Sequence, residues 1–348
     1  MSLQTVLRGP SYPLIIFQSS AAQSSLAILG SLLRKTSMHI IICSLLYSTG
    51  SLIGEPAQDR IQEVDCTTDI PGYEDDPVGC RERLFSAIHS VNASQPLTVV
   101  IDSLDTLLSN LSSKAAVCAL LGDLQRILWT RSTSRLIIHA HTPSASSLVP
   151  LLTTSAFSPS LAHIIAHPPP VLMHLATHLS TPPPPLSSPE KFWNVFLPVA
   201  ARMYDAEELV FGSNGEGGSA EEIVVELVLR GGDSTERVIA RRKGGVERRL
   251  EGWTQDAGCE LKDLASLRSL FTSKPASKEA SKIPDPTQNL SFNLTLTPEQ
   301  QQSRTQVPLP YAHTGAAPVP AQQTGTIFYD PDSADDIDDD DPDEDLDI

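Results

Sequence analysis

Apolar residues in the first two hundred positions of this 348-residue chain follow two alternating patterns. Short runs that are apolar throughout, such as 14–17 and 40–43, are typical of strands buried on both faces, and so is the run 97–101, in which Thr98 is the one polar residue. Between these runs, apolar residues recur every three or four positions, most clearly over 117–128, which predicts amphipathic helices. Alternating buried strands and helices predict an α/β fold in which helices cover both faces of a mainly parallel sheet.

The pattern changes after residue 222. Three strand-like runs, 223–229, 238–240 and 246–253, are separated by two Gly-Gly turns, which predicts an antiparallel hairpin region at one edge of the sheet. Cations cluster around the second turn and form a candidate RNA-binding surface, because such side chains bind a phosphate backbone without reading its sequence. The alternative is a solvated edge that discourages strand pairing. The cluster contains Arg237, Arg241, Arg242, Lys243, Arg248 and Arg249.

Near the C-terminus, apolar and polar residues alternate over 290–296, which predicts a strand with one buried face. Thr297-Pro298 is typical of a helix start. The segment 307–311 contains two prolines and is expected to be extended, so its side chains cannot bury themselves locally. We therefore predict that this region docks on a partner or on its own domain. The candidate docking residues are Leu290, Phe292, Leu294, Leu296, Leu309, Pro310 and Tyr311.

The acidic charge is concentrated at the end of the chain. Residues 330–348 contain twelve carboxylates and no Lys or Arg, and without them the net charge of -17 becomes -5. The rest of the chain is therefore only mildly acidic and gives no argument for basic partners. Residues 274–286 are rich in Ser, Lys and Pro, as flexible linkers are. We predict a domain over 1–272, a linker over 273–288, an ordered docking segment over 289–313 and a disordered acidic tail over 314–348.

The five cysteines show neither CxxC nor Cys/His metal spacing. Free thiols in a reducing compartment and no metal site are therefore expected. The N-terminus lacks the features of a secretory signal. The apolar run 38–53 is too short, and too rich in Ser and Thr, for a membrane span. We expect a soluble intracellular protein that does not contact a membrane.

The first strand, turn and helix form the usual setting of a phosphate-binding loop. Such a loop needs glycines so that backbone amides can surround the phosphates, a Lys to meet their charge, and a Ser or Thr for magnesium. The corresponding stretch contains neither Gly nor Lys: Gln18-Ser19-Ser20-Ala21-Ala22-Gln23-Ser24-Ser25. Tight nucleotide binding is therefore not expected, and the sequence predicts no cofactor.

Asp102 ends the run 97–101 and resembles the acid that helps to hold magnesium in nucleotide-binding proteins. The favoured interpretation is structural, because Asp commonly ends buried strands and caps the segment that follows. The pairs His139 and His141, and His163 and His167, are likewise interpreted as framework residues. No GxSxG motif marks a nucleophile, so we predict no catalytic residue.

Several short motifs resemble the Elongator complex protein five family in order and spacing. They are Leu290-Ser291-Phe292-Asn293-Leu294, Leu296-Thr297, Gln302, Arg304, Val307, Leu309-Pro310-Tyr311, His313, Ile327-Phe328-Tyr329-Asp330 and Asp345-Leu346-Asp347-Ile348. Gly245-Val246-Glu247-Arg248 with Trp253 is similar to the late hairpin of that family.

The resemblance implies a RecA-like fold that has lost its nucleotide site, and a non-catalytic subunit found in cytoplasm and nucleus. In that family the subunit joins Elongator proteins four and six in a hetero-hexameric ring, which docks on the catalytic Elongator subunits. The complex modifies wobble uridines of tRNA, and the ring supports tRNA binding and release. Two alternatives remain open: a RecA-type NTPase with a divergent phosphate loop in which Asp102 holds magnesium, and an acidic-tailed chaperone for basic proteins.

Overall fold

The computed structural model describes residues 2–9, 11–54, 60–69, 79–211, 218–231, 246–254 and 256–272, together with Glu299 and Gln302. For residues 203–205 it describes the backbone alone. By internal contacts the chain divides into two units, Met1–Ser277 and Lys278–Ile348. The predicted linker, docking segment and acidic tail lie outside the described residues, apart from Glu299 and Gln302.

The described helices and strands all belong to the first unit. In chain order they are α1 (Leu3–Arg8), β1 (Leu14–Ser19), α2 (Leu26–Lys35), β2 (His39–Ser44), α3 (Thr49–Ile53), β3 (Ile61–Asp65), α4 (Cys80–Ser90), β4 (Leu97–Ile101), α5 (Leu104–Leu111), α6 (Lys114–Trp129), β5 (Arg135–His141), α7 (Val149–Leu152), β6 (Leu161–His167), α8 (Pro169–Thr177), α9 (Pro189–Ala201), α10 (Met203–Phe211), β7 (Glu222–Arg230), β8 (Val246–Thr254), β9 (Ala257–Cys259) and α11 (Arg268–Thr272). None of these helices is both long and apolar enough to cross a bilayer.

The described strands form one sheet in the order β3-β2-β4-β5-β1-β6-β7-β8-β9. Neighbouring strands from β3 to β6 are parallel, whereas β7, β8 and β9 extend the sheet through antiparallel pairs. The predicted α/β class, with a mainly parallel sheet and an antiparallel edge, is confirmed. The first strand, β1, lies between β5 and β6, so its carboxyl end is enclosed by neighbouring strands.

Both faces of the parallel sheet are covered, as the apolar runs predicted. Leu14 and Ile16 of β1 pack in one cluster with residues of α4, α5 and α6. Ile15 and Phe17 point to the other face and pack with residues of α1, α2 and α3. Successive side chains of a strand alternate between faces, so a run without polar residues is what a sheet covered on both sides requires.

The described structure also contains two strands that the sequence did not reveal, β3 and β9. In β3 only Val64 is buried, because this strand lies at the edge of the sheet, and its apolar signal is correspondingly weak. The predicted strand over 246–253 is present as β8, and it pairs directly with β7, from Glu222 opposite Thr254 to Arg230 opposite Val246. The predicted strand over 238–240 lies outside the described residues.

Candidate functional site

The carboxyl ends of the parallel strands are where open α/β sheets bind their ligands. In this protein that edge contains the loop 20–25 after β1, Asp102 after β4, and His139 and His141 near the end of β5. A phosphate loop would occupy the first of these segments, and a magnesium ligand would stand at the position of Asp102. The structure brings Ser19, Asp102 and His139 together.

The loop after β1 uses its own polar groups to hold its shape. The amide of Ser20 donates to the carbonyl of Gln23 over 2.9 Å. In return, the Gln23 amide donates to the carbonyl and hydroxyl oxygens of Ser20, at 3.3 and 3.2 Å. The amide of Ser25, at the start of α2, donates to Ser19 Oγ over 2.8 Å. A phosphate-binding loop offers amides of this kind to its ligand, and here they are already bonded within the protein.

The segment that leads into β7 lies over the same loop. The side-chain amide of Gln23 donates to the carbonyl of Ser219 over 2.8 Å. Gly218 lies so close to the loop that a Cβ there would clash with the carbonyl oxygen of Ala22. The loop is therefore held by its own hydrogen bonds and is also covered by the segment that contains Gly218 and Ser219.

Beneath the loop, Ser19, Ser25, Asp102 and His139 form what we call the closed network. Ser19 Oγ lies 2.8 Å from both Ser25 Oγ and His139 Nε2. His139 Nδ1 lies 2.8 Å from the Asp102 carbonyl oxygen, to which it donates, so Nε2 accepts from the Ser19 hydroxyl. Burial lowers the pKa of His139 to about 4, and the ring is therefore neutral at pH 7. Ser19 and His139 are each only 2% exposed, so this pair is largely shielded from solvent.

The Asp102 carboxylate is committed to backbone groups. It is fully buried and accepts from the amides of Leu45, Leu46 and Tyr47 at 2.8, 2.9 and 2.6 Å. Burial raises the pKa of Asp102, and these three amides counteract that effect. The structural interpretation of Asp102 therefore fits, but the residue holds the loop after the neighbouring strand β2 instead of capping the segment that follows it.

A cleft of about 330 Å³ opens beside the loop, between β6, β7, β8 and α9. Glu226 accepts from His167 Nε2 over 2.9 Å and pairs with Arg248 Nε at 3.3 Å. Burial alone would raise the pKa of Glu226, but the His167 bond and the charges of His167 and Arg248 together lower it. Arg248 also lies over the Trp193 ring, 5.7 Å from its centroid. Among the described lining residues the guanidinium charge is thus neutralised, and the cleft offers little to a triphosphate.

The predicted RNA-binding surface is only partly described. Arg248 is paired as above, and Arg249 pairs with its neighbour Glu247. Both side chains remain partly accessible, at 35% and 49%. Four members of the surface lie outside the described residues: Arg237, Arg241, Arg242 and Lys243. So do all seven docking candidates, namely Leu290, Phe292, Leu294, Leu296, Leu309, Pro310 and Tyr311, and both sets stay predictions.

Three cysteines that are far apart in sequence meet at the carboxyl ends of β2 and β3, and we call them the thiol cluster. Cys66 and Cys80 are joined by a disulfide, and Cys43 Sγ lies 3.5 Å from Cys80 Sγ. The expectation of five free thiols is therefore wrong. Burial raises the pKa of Cys43 to about 12, and the charges of Asp102 and Asp69 add to this. The spacing rules missed the cluster because it depends on the pairing of β2 with β3, which places Cys43 opposite Val64.

Comparison with known proteins finds a family model that covers most of the chain. The family model described as Elongator subunit Iki1 matches residues 3–330. The chain is similar to Elongator complex protein 5 of Mus musculus, with 44% identity over 70 residues, and to that of Homo sapiens, with 43%. Each match covers 18% of this chain and 23% of the relative, so it spans less than a quarter of those proteins.

Among solved structures, the chain is similar to a KaiC-like protein of Pyrococcus horikoshii, with 13% identity and a TM-score of 0.33. That match covers 46% of this chain and 75% of the other. The flagellar accessory protein FlaH of Methanocaldococcus jannaschii is similar with 12% identity and a TM-score of 0.29, over 46% and 73% of the two chains.

Proposed function

Because the chain belongs to the Elongator subunit Iki1 family, we propose that it is a non-catalytic subunit of the Elongator complex, in cytoplasm and nucleus. In this proposal it assembles with Elongator proteins four and six into a hetero-hexameric ring. The ring docks on the catalytic subunits and supports tRNA binding during wobble-uridine modification. The chain itself contributes architecture instead of chemistry.

The closed network is the observation that carries the non-catalytic part of the proposal. The amides of Ser20, Gln23 and Ser25, the Asp102 carboxylate and the His139 ring are each hydrogen-bonded to other groups of the protein. A nucleotide would have to break several of these bonds before it gained any of its own. An unsatisfied buried polar group costs about 1–3 kcal/mol, so the network opposes binding there.

The ring proposal makes the carboxyl edge of the sheet a contact surface, since RecA-type rings place this edge between subunits. Leu46 lies in the loop that Asp102 holds and is 56% exposed. An exposed apolar side chain on a fixed backbone suits a contact with a neighbouring subunit.

Assembly is tested by producing the full chain together with the two paralogues and measuring the mass of the product. We expect a ring-sized complex, which Leu46→Asp weakens by placing an unpaired charge in the contact. Leu179→Asp is the matched control, because Leu179 is 44% exposed but lies after α8. Failure of the unmodified chain to form a stable ring-sized complex would refute the proposed ring.

The tRNA part is tested on the assembled ring with charge reversal at Arg241, Arg242 and Lys243. We expect weaker RNA binding and a shallower dependence on salt, because each lost phosphate contact removes about 0.9 from the slope of log K against log salt. Arg126→Glu is the control, since Arg126 is exposed on α6 and pairs with Asp123 at the surface. Equal affinity across the salt series would assign the cluster to a solvated edge.

A further inference from the structure

Three sulfur atoms from three different elements converge beside β2. Cys43 belongs to β2, Cys66 directly follows β3, and Cys80 is the first residue of α4. The Cys66 amide donates to the Ser44 carbonyl over 2.8 Å, which fixes Cys66 next to the end of β2. The three Sγ atoms all lie within 4.8 Å of one another. Breaking the Cys66–Cys80 disulfide would therefore leave three thiols facing a common point.

We propose that the reduced thiol cluster binds one thiophilic cation with a filled d shell, Zn²⁺ or Cu⁺, through the sulfurs of Cys43, Cys66 and Cys80. The reductant is a dithiol, which supplies two electrons and two protons to the Cys66–Cys80 disulfide and is itself oxidised to a disulfide. The cation then replaces the protons of the three thiols, and these protons pass to the solvent.

The distances suit such an ion. Sulfur lies at about 2.3 Å from zinc, so sulfurs in a tetrahedral set lie roughly 3.8 Å apart. The separation of 3.5 Å between Cys43 and Cys80 is already close to this value. Cys66 and Cys80 need only move apart once their bond is broken. Three sulfur ligands leave one zinc position open and also form a complete trigonal set for Cu⁺, and soft thiolates select both ions over hard cations.

The surroundings hold the ligands in place and leave a route for the ion. Cys43 and Cys66 are each 1% exposed, and the strand that holds Cys43 pairs in register with the strand that Cys66 directly follows, whereas Cys80 is only half-buried. An ion can therefore enter beside Cys80. The negative charges of Asp102 and Asp69 act on Cys43 and favour a cation, and the charge of Arg83 opposes them.

The test uses the full chain, reduced with a dithiol and then handled without oxygen. Zn²⁺ is added in competition with a chromophoric zinc chelator, Cu⁺ in competition with a chromophoric Cu⁺ chelator, and Co²⁺ is added alone to detect thiolate-to-metal absorption. We expect one ion per chain for at least one of Zn²⁺ and Cu⁺. Cys43→Ser should weaken binding by roughly 100-fold or more, since even an outer-shell change costs 10- to 100-fold. Cys118→Ser is the control and should bind as the unmodified chain does.

A second measurement needs no substitution. Alkylation of the reduced chain, followed by mass spectrometry, should be slower by roughly tenfold at Cys43, Cys66 and Cys80 when the metal is present, because bound thiolates are not available as nucleophiles. Cys118 and Cys259 should react at the same rate with and without metal. The proposal would be overturned if metal left the alkylation rate of every cysteine unchanged. It would also be overturned if the reduced chain bound neither ion, or if Cys43→Ser bound one ion per chain as tightly as the unmodified chain.

Discussion

The closed network and the thiol cluster adjoin each other at the carboxyl edge of the sheet, but they differ in how strongly their polar groups are hydrogen-bonded. In the closed network, the serine hydroxyls, the His139 ring and the Asp102 carboxylate each have strong hydrogen-bond partners within the protein. In the thiol cluster, the hydrogen-bond contact that the Cys43 thiol makes with the described residues is a weak one, at 3.5 Å from the Cys80 sulfur. The two regions are in direct contact, because the Asp102 amide donates to the Cys43 carbonyl over 3.4 Å.

The difference shows that residue types alone do not decide whether a site can bind. Serine, histidine and aspartate are common ligand-binding residues, yet a ligand for the closed network must first break buried bonds that cost about 1–3 kcal/mol each. Sulfur is a weak hydrogen-bonding group, so a ligand for the reduced thiol cluster displaces little. The closed network contains the residue types that more often bind ligands, yet it is less able to bind one than the reduced thiol cluster.

The largest expected effect is that of Asp102→Ala. The substitution leaves the amides of Leu45, Leu46 and Tyr47 without their acceptor, and we expect the free energy of unfolding to fall by about 3–5 kcal/mol. Denaturant unfolding measures it. The control is Asp123→Ala, which removes only surface pairs with Arg81 and Arg126 and should cost less than about 1 kcal/mol. Equal losses in both variants would mean that Asp102 does not hold the β2 loop.

A slightly smaller effect is expected from His139→Gln, and it depends on pH. The folded-state pKa of His139 is about 4, below its ordinary value of 6.5, so the unfolded chain takes up the proton first. The neutral His139 ring therefore contributes about 3 kcal/mol to the free energy of unfolding above about pH 6.5. This contribution is lost as the pH falls from 6.5 toward 4.

His139→Gln should therefore flatten the decline of unfolding free energy between pH 6.5 and 4. Part of the decline should persist, because burial also lowers the pKa of His163 to about 4. The double variant with His163→Gln should flatten it further. A His139→Gln protein that loses stability with acid as steeply as the unmodified chain would show that His139 is not held neutral.

Ser19→Ala should have an intermediate effect. It removes the acceptor of the Ser25 amide and the donor to His139, and we expect a loss of about 2 kcal/mol in unfolding free energy. Ser109→Ala is the matched control, since its hydroxyl is exposed on α5 and should matter by less than about 0.5 kcal/mol. A loss no greater than the control's would remove Ser19 from the closed network.

The smallest effect is expected in the thiol cluster itself. In the reduced, metal-free chain, Cys43→Ala should cost about 1 kcal/mol, because it removes a small buried group that makes no strong hydrogen bond. Thermal or denaturant unfolding of both variants compares this loss of unfolding free energy with that of Ser19→Ala. A cost greater than that of Ser19→Ala would contradict the comparison between the two regions.

The sequence could predict the strands whose whole length is buried. All five residues of β4 are buried and four of them are apolar, a composition that leaves few alternatives to a buried strand. By contrast, β3 lies at the sheet edge and buries only Val64, so its composition differs little from that of a loop. Periodicity reports burial, and an element that buries little gives little signal.

The absence of Gly and Lys from 18–25 was visible in the sequence. The closed network that occupies the place of a phosphate site was not. Asp102 binds amides at 45–47 only because β4 lies next to β2 in the sheet. The thiol cluster likewise depends on β2 lying next to β3. Strand order is set by packing over the whole domain, so contacts between residues that come from different strands could not be derived from local patterns.

Titration of the purified full chain with magnesium and ATP, followed by calorimetry, tests the central claim most directly. The closed network predicts no saturable binding at millimolar nucleotide, and no difference between the unmodified chain and Asp102→Asn. Binding of one nucleotide per chain in the micromolar range, lost in Asp102→Asn, would contradict it and would support an NTPase with a divergent phosphate loop.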